Sequence, residues 1–146
     1  MTSYKSIFER FCFKIKDYVL LNLDDSDVFE ACRVWMDAAI PKIRRLTNDL
    51  SDRDNEIMAF NSDLTEIEQE VIANMMIAEW LEPQINSQNY TNQFYGGKEE
   101  KFFAQSTHLN TLMNLKKEKR IETNKLIRSS KYNDFADQQN TEEDNG

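Results

Sequence analysis

Residues 64 to 81, LTEIEQEVIANMMIAEWL, form the most apolar stretch of the chain and decide its fold. Apolar side chains recur in this stretch at helical spacing, at Ile67, Val71, Ile72, Met75, Met76, Ala78, Trp80 and Leu81. A helix this apolar is stable when other elements cover it. Thr65 and Glu68 have the spacing of a capping box, and Pro83 should close or kink the helix. The stretch therefore predicts a central, buried helix over residues 65 to 82.

Three further segments place apolar residues at steps of three and four, which is the period of a helix. They lie near residues 4 to 20, 27 to 46 and 98 to 128. Pro41 falls inside the second segment and predicts a kink or break near Ala39 and Ile40. Residues 47 to 63 are rich in Asp, Asn and Ser and predict a loop. Residues 86 to 97, with the only glycine pair, predict the main flexible connection.

Glycine and proline are scarce, with three and two residues among 146, so the chain lacks the turns that many short strands would need. We expect an all-α fold, a helical bundle of about four helices with an extended C-terminal helix and tail. Residues 1 to 131 should form a single helical domain. Residues 132 to 146 should form an acidic tail that is disordered or ordered by assembly, because so few apolar groups cannot offset the entropy of ordering.

The apolar stripes of these helices predict which side chains pack together. In the last helix they also predict an apolar face that includes Leu112 and Met113 and fades beyond Lys116. The residues that we expect to be mutually packed in the core are Phe8, Phe11, Phe29, Trp35, Ile72, Met76, Trp80 and Phe103.

Charge is distributed unevenly along the chain. The net charge is −8 over residues 1 to 97, +5 over residues 98 to 131 and −5 over residues 132 to 146. A general nucleic-acid-binding domain would be basic as a whole, so this pattern argues against that class. An acidic body joined to a basic segment is compatible with a charged surface that pairs with another protein.

The residues that could carry chemistry do not form a recognisable catalytic or metal-binding motif. His108 has no glutamate three or four residues before it, so neither common helical metal motif is present, and a surface or interface position is expected. The glutamates at 66, 68 and 70 crowd the start of a helix, where the helix dipole favours them. Asp24, Asp25 and Asp27 lack the glycine and glutamate of a calcium loop and are interpreted as caps. We therefore expect no enzymatic activity, no metal and no cofactor.

Cys12 and Cys32 lie in apolar helical patterns, without CxxC spacing, a secretory signal or an apolar run long enough to span a membrane. We interpret the chain as cytosolic, with no membrane association and with both thiols free. A disulfide between the two residues stays open as an alternative.

The candidate partner-binding segment runs from Lys116 to Lys131 and contains seven cationic side chains but only two carboxylates. One interpretation is a solvated helix end whose cations complement the helix dipole. The functional interpretations are a phosphate contact and contact with an acidic protein surface, and of these two the overall acidity of the protein favours the second. The predicted partner-binding residues are Lys116, Lys117, Lys119, Arg120, Lys125, Arg128 and Lys131, with Phe135 as an anchor in the tail.

Two segments carry a likeness to a known family. They are Phe60 to Ser87, FNSDLTEIEQEVIANMMIAEWLEPQINS, and Val28 to Asp54, with its AAIPK and LSDRD sequences. Together they resemble short structural proteins of tailed bacteriophages, of the head-to-tail adaptor (neck or connector) type. The likeness spans about 100 residues, roughly Asp24 to Ile127, and contains no catalytic signature.

The resemblance implies a helical virion protein of the neck, assembled in the host cytoplasm as a homo-oligomeric ring of twelve copies. Its partners would be the portal protein and other neck or tail proteins, and DNA would pass through its channel without specific binding. The resemblance does not distinguish an adaptor from a stopper or tail-completion protein. A competing hypothesis is a cytosolic helical regulatory protein that binds a protein partner or nucleic acid through the basic segment.

Overall fold

The computed structural model describes the backbone of residues 1–15, 23–44, 46–95 and 99–144, and the side chains of residues 1–15, 23–44, 46–87 and 108–130. The helices are α1 (Tyr4–Lys14), α2 (Asp25–Ala39), α3 (Glu66–Tyr95) and α4 (Glu99–Asp144), and a short 3-10 helix, Ile40–Lys42, follows α2. The strands β1 (Thr2–Ser3), β2 (Arg53–Asp54) and β3 (Ala59–Phe60) form a small sheet in the order β1-β3-β2. The expected all-α bundle of about four helices is confirmed, with this sheet as an unpredicted addition.

The central helix is α3, which contacts α1, α2 and α4. Eight of its described apolar side chains are buried, at Val71, Ile72, Ala73, Met76, Ile77, Ala78, Leu81 and Ile85. Three helices therefore cover the apolar side chains of α3 along this stretch. The prediction of a central, buried helix in this part of the chain is confirmed.

The predicted end of this helix at Pro83 is wrong, because α3 continues to Tyr95. Residues 86 to 95 are therefore helical, which contradicts the predicted flexible connection there, and residues 96–98 lie outside the described backbone. Ile85, beyond the proline, is buried in the same core cluster as Leu112 of α4. This burial favours continuation of the helix and offsets the backbone hydrogen bond that proline cannot make.

The first two helices are shorter than predicted. Helix α1 ends at Lys14, because the backbone at Ile15 is extended, and the predicted continuation over residues 16–20 lies outside the described residues. Helix α2 ends at Ala39 and passes into the 3-10 helix that contains Pro41, which confirms the predicted break. Asp24 is the N-cap residue of α2, with Asp25 and Asp27 in the first turn.

The segment predicted as a loop, residues 47 to 63, contains β2 and β3. Phe60 and Ala59 pair with Thr2 and Ser3 on one side of β3 and with β2 on the other. The Thr2 hydroxyl donates to the Ser62 carbonyl at 3.1 Å and accepts from the Leu64 N–H at 2.8 Å. The sheet thus fixes the start of α1 beside the start of α3, although two-residue strands give too little alternation to be recognised in the sequence.

Tyr4 joins this sheet to the helical core. Its ring packs edge-on against Phe60 with centroids 5.1 Å apart, and both side chains are fully buried. Its hydroxyl donates to Asn55 Oδ1 at 2.8 Å, so the polar end of the ring is satisfied. The predicted core omitted both aromatic residues because the pairing that joins them spans more than fifty residues of sequence.

The predicted core is confirmed in part. Phe8, Phe11, Ile72 and Met76 are buried, whereas Phe29, Trp35 and Trp80 are half-buried at its edge. Phe8 packs edge-on against Phe29 at 4.8 Å, and Phe11 packs at a tilt against Trp35 at 5.4 Å. The side chain of Phe103 lies outside the described residues.

The carboxylates of α3 contact cations on separate neighbouring elements. Glu70 accepts from Arg10 at 2.7 Å and lies 2.5 Å from Lys14, both on α1. Glu79 pairs with Lys42 of the 3-10 helix, and Glu82 pairs with Lys116 of α4. These glutamates therefore orient the surrounding elements around α3, a role that the helix dipole alone does not explain.

The predicted capping box is half confirmed. The Glu68 N–H donates to Thr65 Oγ1 at 3.2 Å, as expected. The Glu68 carboxylate, which is almost fully buried, accepts instead from Asn48 Nδ2 at 2.8 Å. Glu68 thus connects the start of α3 to the loop before β2.

Helix α4 is longer than predicted and includes residues 132–144, for which the sequence predicted no regular structure of their own. It has 46 residues, against 30 in α3. At 1.5 Å per residue, at least about 24 Å of α4 has no counterpart in α3 to pack against. The predicted extended C-terminal helix is present, and its ordering by assembly stays a prediction.

Burial predicts how stability is distributed over the core aromatics. Phe11→Ala should lower the free energy of unfolding by about 3 to 5 kcal/mol, because the ring is fully buried. Trp80→Ala should cost less, about 1 to 3 kcal/mol, because Trp80 is only half-buried. Urea titration of both variants measures the difference, and a larger loss for Trp80→Ala would contradict this assignment of the core.

The contacts of Glu70 predict a pH-dependent contribution to stability. Burial alone would raise the pKa of Glu70, but the hydrogen bonds and charges of Lys14 and Arg10 outweigh burial and lower it. The contribution is therefore fully present above the ordinary pKa of 4.5 and is lost as the pH falls through the lower folded value.

Glu70→Gln should accordingly cost about 1 to 2 kcal/mol at pH 7, a modest value because all three side chains keep partial contact with water. The cost should shrink at pH 3. Urea titration at both pH values measures it, with Glu66→Gln in the exposed first turn of α3 as the control. An equal loss at pH 3 and pH 7 would refute the ion-pair explanation.

Candidate functional site

One side of α4 forms a continuous surface, which we call the α4 stripe. Its members recur at helical spacing and are Met113, Lys117, Arg120, Ile121, Asn124 and Arg128. All six side chains are exposed. Five of them, excluding Arg128, line a groove of about 600 Å³ whose other wall is Glu82, Ile85 and Asn86 of α3. The α4 stripe is therefore one edge of a groove between the two longest helices.

The α4 stripe contains apolar groups that face solvent. Met113 is 51% exposed and Ile121 is 46% exposed. The prediction that Met113 belongs to the buried face is wrong, because Leu112 occupies the core and the next residue on a helix points about 100° away. Single exposed apolar residues are common, but two beside one groove provide apolar area for a partner.

The predicted partner-binding cations fall into two groups. Lys116 pairs with Glu82 on α3, and Lys119 lies 3.2 Å from Glu122 on its own helix. These two ammonium groups are already engaged within the chain, and their role as contact residues stays a prediction. Both side chains are half-buried.

The remaining cations in the described part of the segment are exposed, at Lys117, Arg120, Lys125 and Arg128. None of these four forms an ion pair with a carboxylate among the described side chains. Three of these four, Lys117, Arg120 and Arg128, belong to the α4 stripe. Lys131 and Phe135 lie on the backbone of α4, and their side chains are outside the described residues.

In a second groove, of about 380 Å³, cations from a distant segment of the chain lie beside α4, which the sequence did not predict. The groove is lined by Lys42 and Arg44 from the segment after α2 and by Asn124, Ile127 and Arg128 from α4. Asn124 lines both grooves, so they meet along the helix. Sequence reasoning missed Lys42 and Arg44 because they lie about eighty residues away from this part of α4, and the sequence does not show that the two segments meet.

The side chains that were candidates for catalysis or metal binding are either exposed or engaged in contacts within the fold. His108 is exposed, in agreement with the predicted surface position. Glu68 and Glu70 are occupied by Asn48 and by the cations of α1. Among the described residues, no three His, Cys, Asp or Glu side chains are grouped so that they could hold a metal ion.

Within the described part of the chain, no helix combines the length and apolar character required to cross a membrane. No family model, curated protein or solved structure matches this chain.

Proposed function

We propose that the protein is a non-enzymatic structural component of a tailed-bacteriophage neck, which assembles as a ring between portal and tail and continues the DNA channel. The observation that carries this proposal is α4, which exceeds α3 by at least about 24 Å and presents an exposed, partly apolar stripe of cations. A surface of this kind does not contribute to the stability of an isolated subunit. It is typical of a protein whose exposed surface is buried by neighbouring subunits in an assembly.

Charge complementarity supports contact between copies. Residues 1 to 97 carry a net charge of −8, while residues 98 to 131 carry +5. A head-to-tail contact places a different surface of each subunit at the two sides of one interface, and it generates a ring when the rotation closes. The α4 stripe of one copy against the acidic body of the next would pair opposite charges and cover Met113 and Ile121.

The resemblance of residues 24 to 127 to head-to-tail adaptors supports the choice of assembly. Adaptors contact the portal through a C-terminal part, and here the C-terminal part is the helix α4, which extends beyond the bundle. The acidity of the chain also suits a channel wall, since a negative wall does not hold the phosphates of passing DNA. The chain would be an adaptor, with a stopper or tail-completion protein as the nearest related assignments.

A charge reversal on the α4 stripe tests this proposal. Arg120→Glu should leave the free energy of unfolding within about 0.5 kcal/mol of the parent, because the side chain is exposed. It should reduce the amount of protein in purified tailed particles by about tenfold or more, since it sets like charges against an acidic neighbour. Mass spectrometry of particles made with the variant as the sole copy measures this.

Lys5→Glu is the matched control, because it reverses one exposed cation on α1, away from the α4 stripe. It should enter particles at the parental level. Equal incorporation of both variants would show that the α4 stripe is not the assembly surface. Absence of the parental protein from purified particles would overturn the neck assignment altogether.

Removal of residues 132–146 tests the role of the helical extension. The cut falls after Lys131 because Ser130 is the last described residue that is buried. The shortened chain should unfold at the parental urea concentration and yet be depleted from particles, because residues beyond the bundle contribute to assembly and not to folding. A shortened chain that enters particles normally would show that the extension is dispensable.

The second groove keeps a competing function open. Lys42, Arg44 and Arg128 converge there, as expected for a helical regulatory protein that binds an acidic partner or nucleic acid. Fluorescence anisotropy with duplex DNA at two salt concentrations distinguishes the two functions. Tight binding that weakens steeply with salt and is lost in Arg44→Glu would favour the regulator, and a gene position among regulatory genes would agree with it.

A further inference from the structure

Cys12 of α1 and Cys32 of α2 face each other across the contact between these two helices. Their sulfur atoms are 3.9 Å apart, although twenty residues separate them in sequence. Both thiols are free. Two sulfurs at this distance need to approach by about 1.9 Å to reach the length of a disulfide bond, about 2.0 Å. Small rotations of two side chains can cover much of that difference.

The two thiols differ in their access to solvent. Cys32 is fully buried, whereas Cys12 is half-buried. A groove of about 410 Å³ between α1 and α2 is lined by Phe8, Glu9 and Cys12 on one side and by Val28 and Phe29 on the other. Cys32 does not line it. A small reagent in this groove therefore meets Cys12 first.

The contact also makes the two sulfurs chemically unequal. The hydrogen bond from Cys32 lowers the pKa of Cys12 to about 7, against the opposite effects of burial and of the Glu9 carboxylate. The same contact, together with burial, raises the pKa of Cys32 above its ordinary range. The thiolate is the nucleophilic form of cysteine, so the accessible residue is also the reactive one.

We infer that Cys12 and Cys32 form a thiol–disulfide exchange site that reacts with small organic disulfides and closes into a covalent link between α1 and α2. Cys12 is the attacking residue, because it is reached through the groove. Cys32 is the resolving residue, because its sulfur is the nearest nucleophile to the bond that the first step creates. This property is independent of the proposed role in a phage neck.

The reaction balances in two exchange steps. The Cys12 thiolate attacks one sulfur of RS–SR, so that the RS–SR bond breaks, a Cys12–SR bond forms and RS⁻ leaves. Cys32 then loses its proton to water and its thiolate attacks the Cys12 sulfur, so that the Cys12–Cys32 bond forms, the Cys12–SR bond breaks and the second RS⁻ leaves to take up the proton that Cys32 released. The first RS⁻ takes the proton that Cys12 released to water. Two protein thiols are oxidised and one RS–SR is reduced to two RSH.

Closure of the link has a structural consequence. Helices α1 and α2 belong to the same core cluster through Phe8, Phe11 and Cys32. A bond between them restricts the unfolded chain over the twenty-residue separation and should therefore raise the melting temperature. The fold would gain stability under oxidising conditions without a change in the α4 stripe.

The full-length protein treated with oxidised glutathione provides the test. Intact-mass spectrometry should show the loss of two hydrogens and no retained glutathione, and the oxidised protein should melt at a higher temperature until dithiothreitol restores the reduced value. Retention of glutathione by the parental protein, or its conversion to covalent dimers, would overturn the inference.

Two variants assign the roles. Cys32→Ser should stop at the first step and retain one glutathione on Cys12. Cys12→Ser should react with glutathione disulfide at least about tenfold more slowly than the parent, because the remaining thiol is buried. Both variants should react readily in denaturant, which controls for the chemistry of each thiol. Equal rates for the two folded variants would contradict the assignment of Cys12 as the attacking residue.

Discussion

The fold depends on covering α3. Its buried apolar residues, from Val71 to Ile85, lie on a helix that contacts three others. At about 25 cal/mol per Å² of apolar area removed from water, burial of these side chains favours folding and favours packing of the other three helices against α3. Helices α1, α2 and α4 can therefore keep polar or charged outer sides, because each needs only one side against α3.

Burial alone does not fix the positions of the surrounding helices, and the carboxylates of α3 supply that specificity. Glu70, Glu79 and Glu82 each contact a cation on a different element, and Glu68 contacts the loop through Asn48. Partly exposed ion pairs contribute little free energy each. Their value lies in the orientation that they favour, since a rotated or shifted neighbour would lose its partner.

The surface of α4 follows from the same arrangement. The side that meets α3 contains buried Leu112 and the Lys116 that pairs with Glu82, while the α4 stripe on the solvent side keeps its cations and its exposed Met113 and Ile121. The proposed interaction surface is thus the side of α4 that does not pack against α3. The cysteine pair has a similar origin, because α1 and α2 pack closely on α3 and bring the two sulfurs within 3.9 Å.

The sequence by itself determined the helical class, the central place of α3 and the break at Pro41, because these depend on periodicity, capping and proline stereochemistry within a single segment. It located the basic segment for the same reason. Only the tertiary structure decided that α3 passes Pro83, that Tyr4 and Phe60 pack together, and which cations of α4 stay exposed. These outcomes depend on contacts between residues far apart in the chain, such as Lys116 with Glu82 and Thr2 with Leu64, whose energies no local pattern contains.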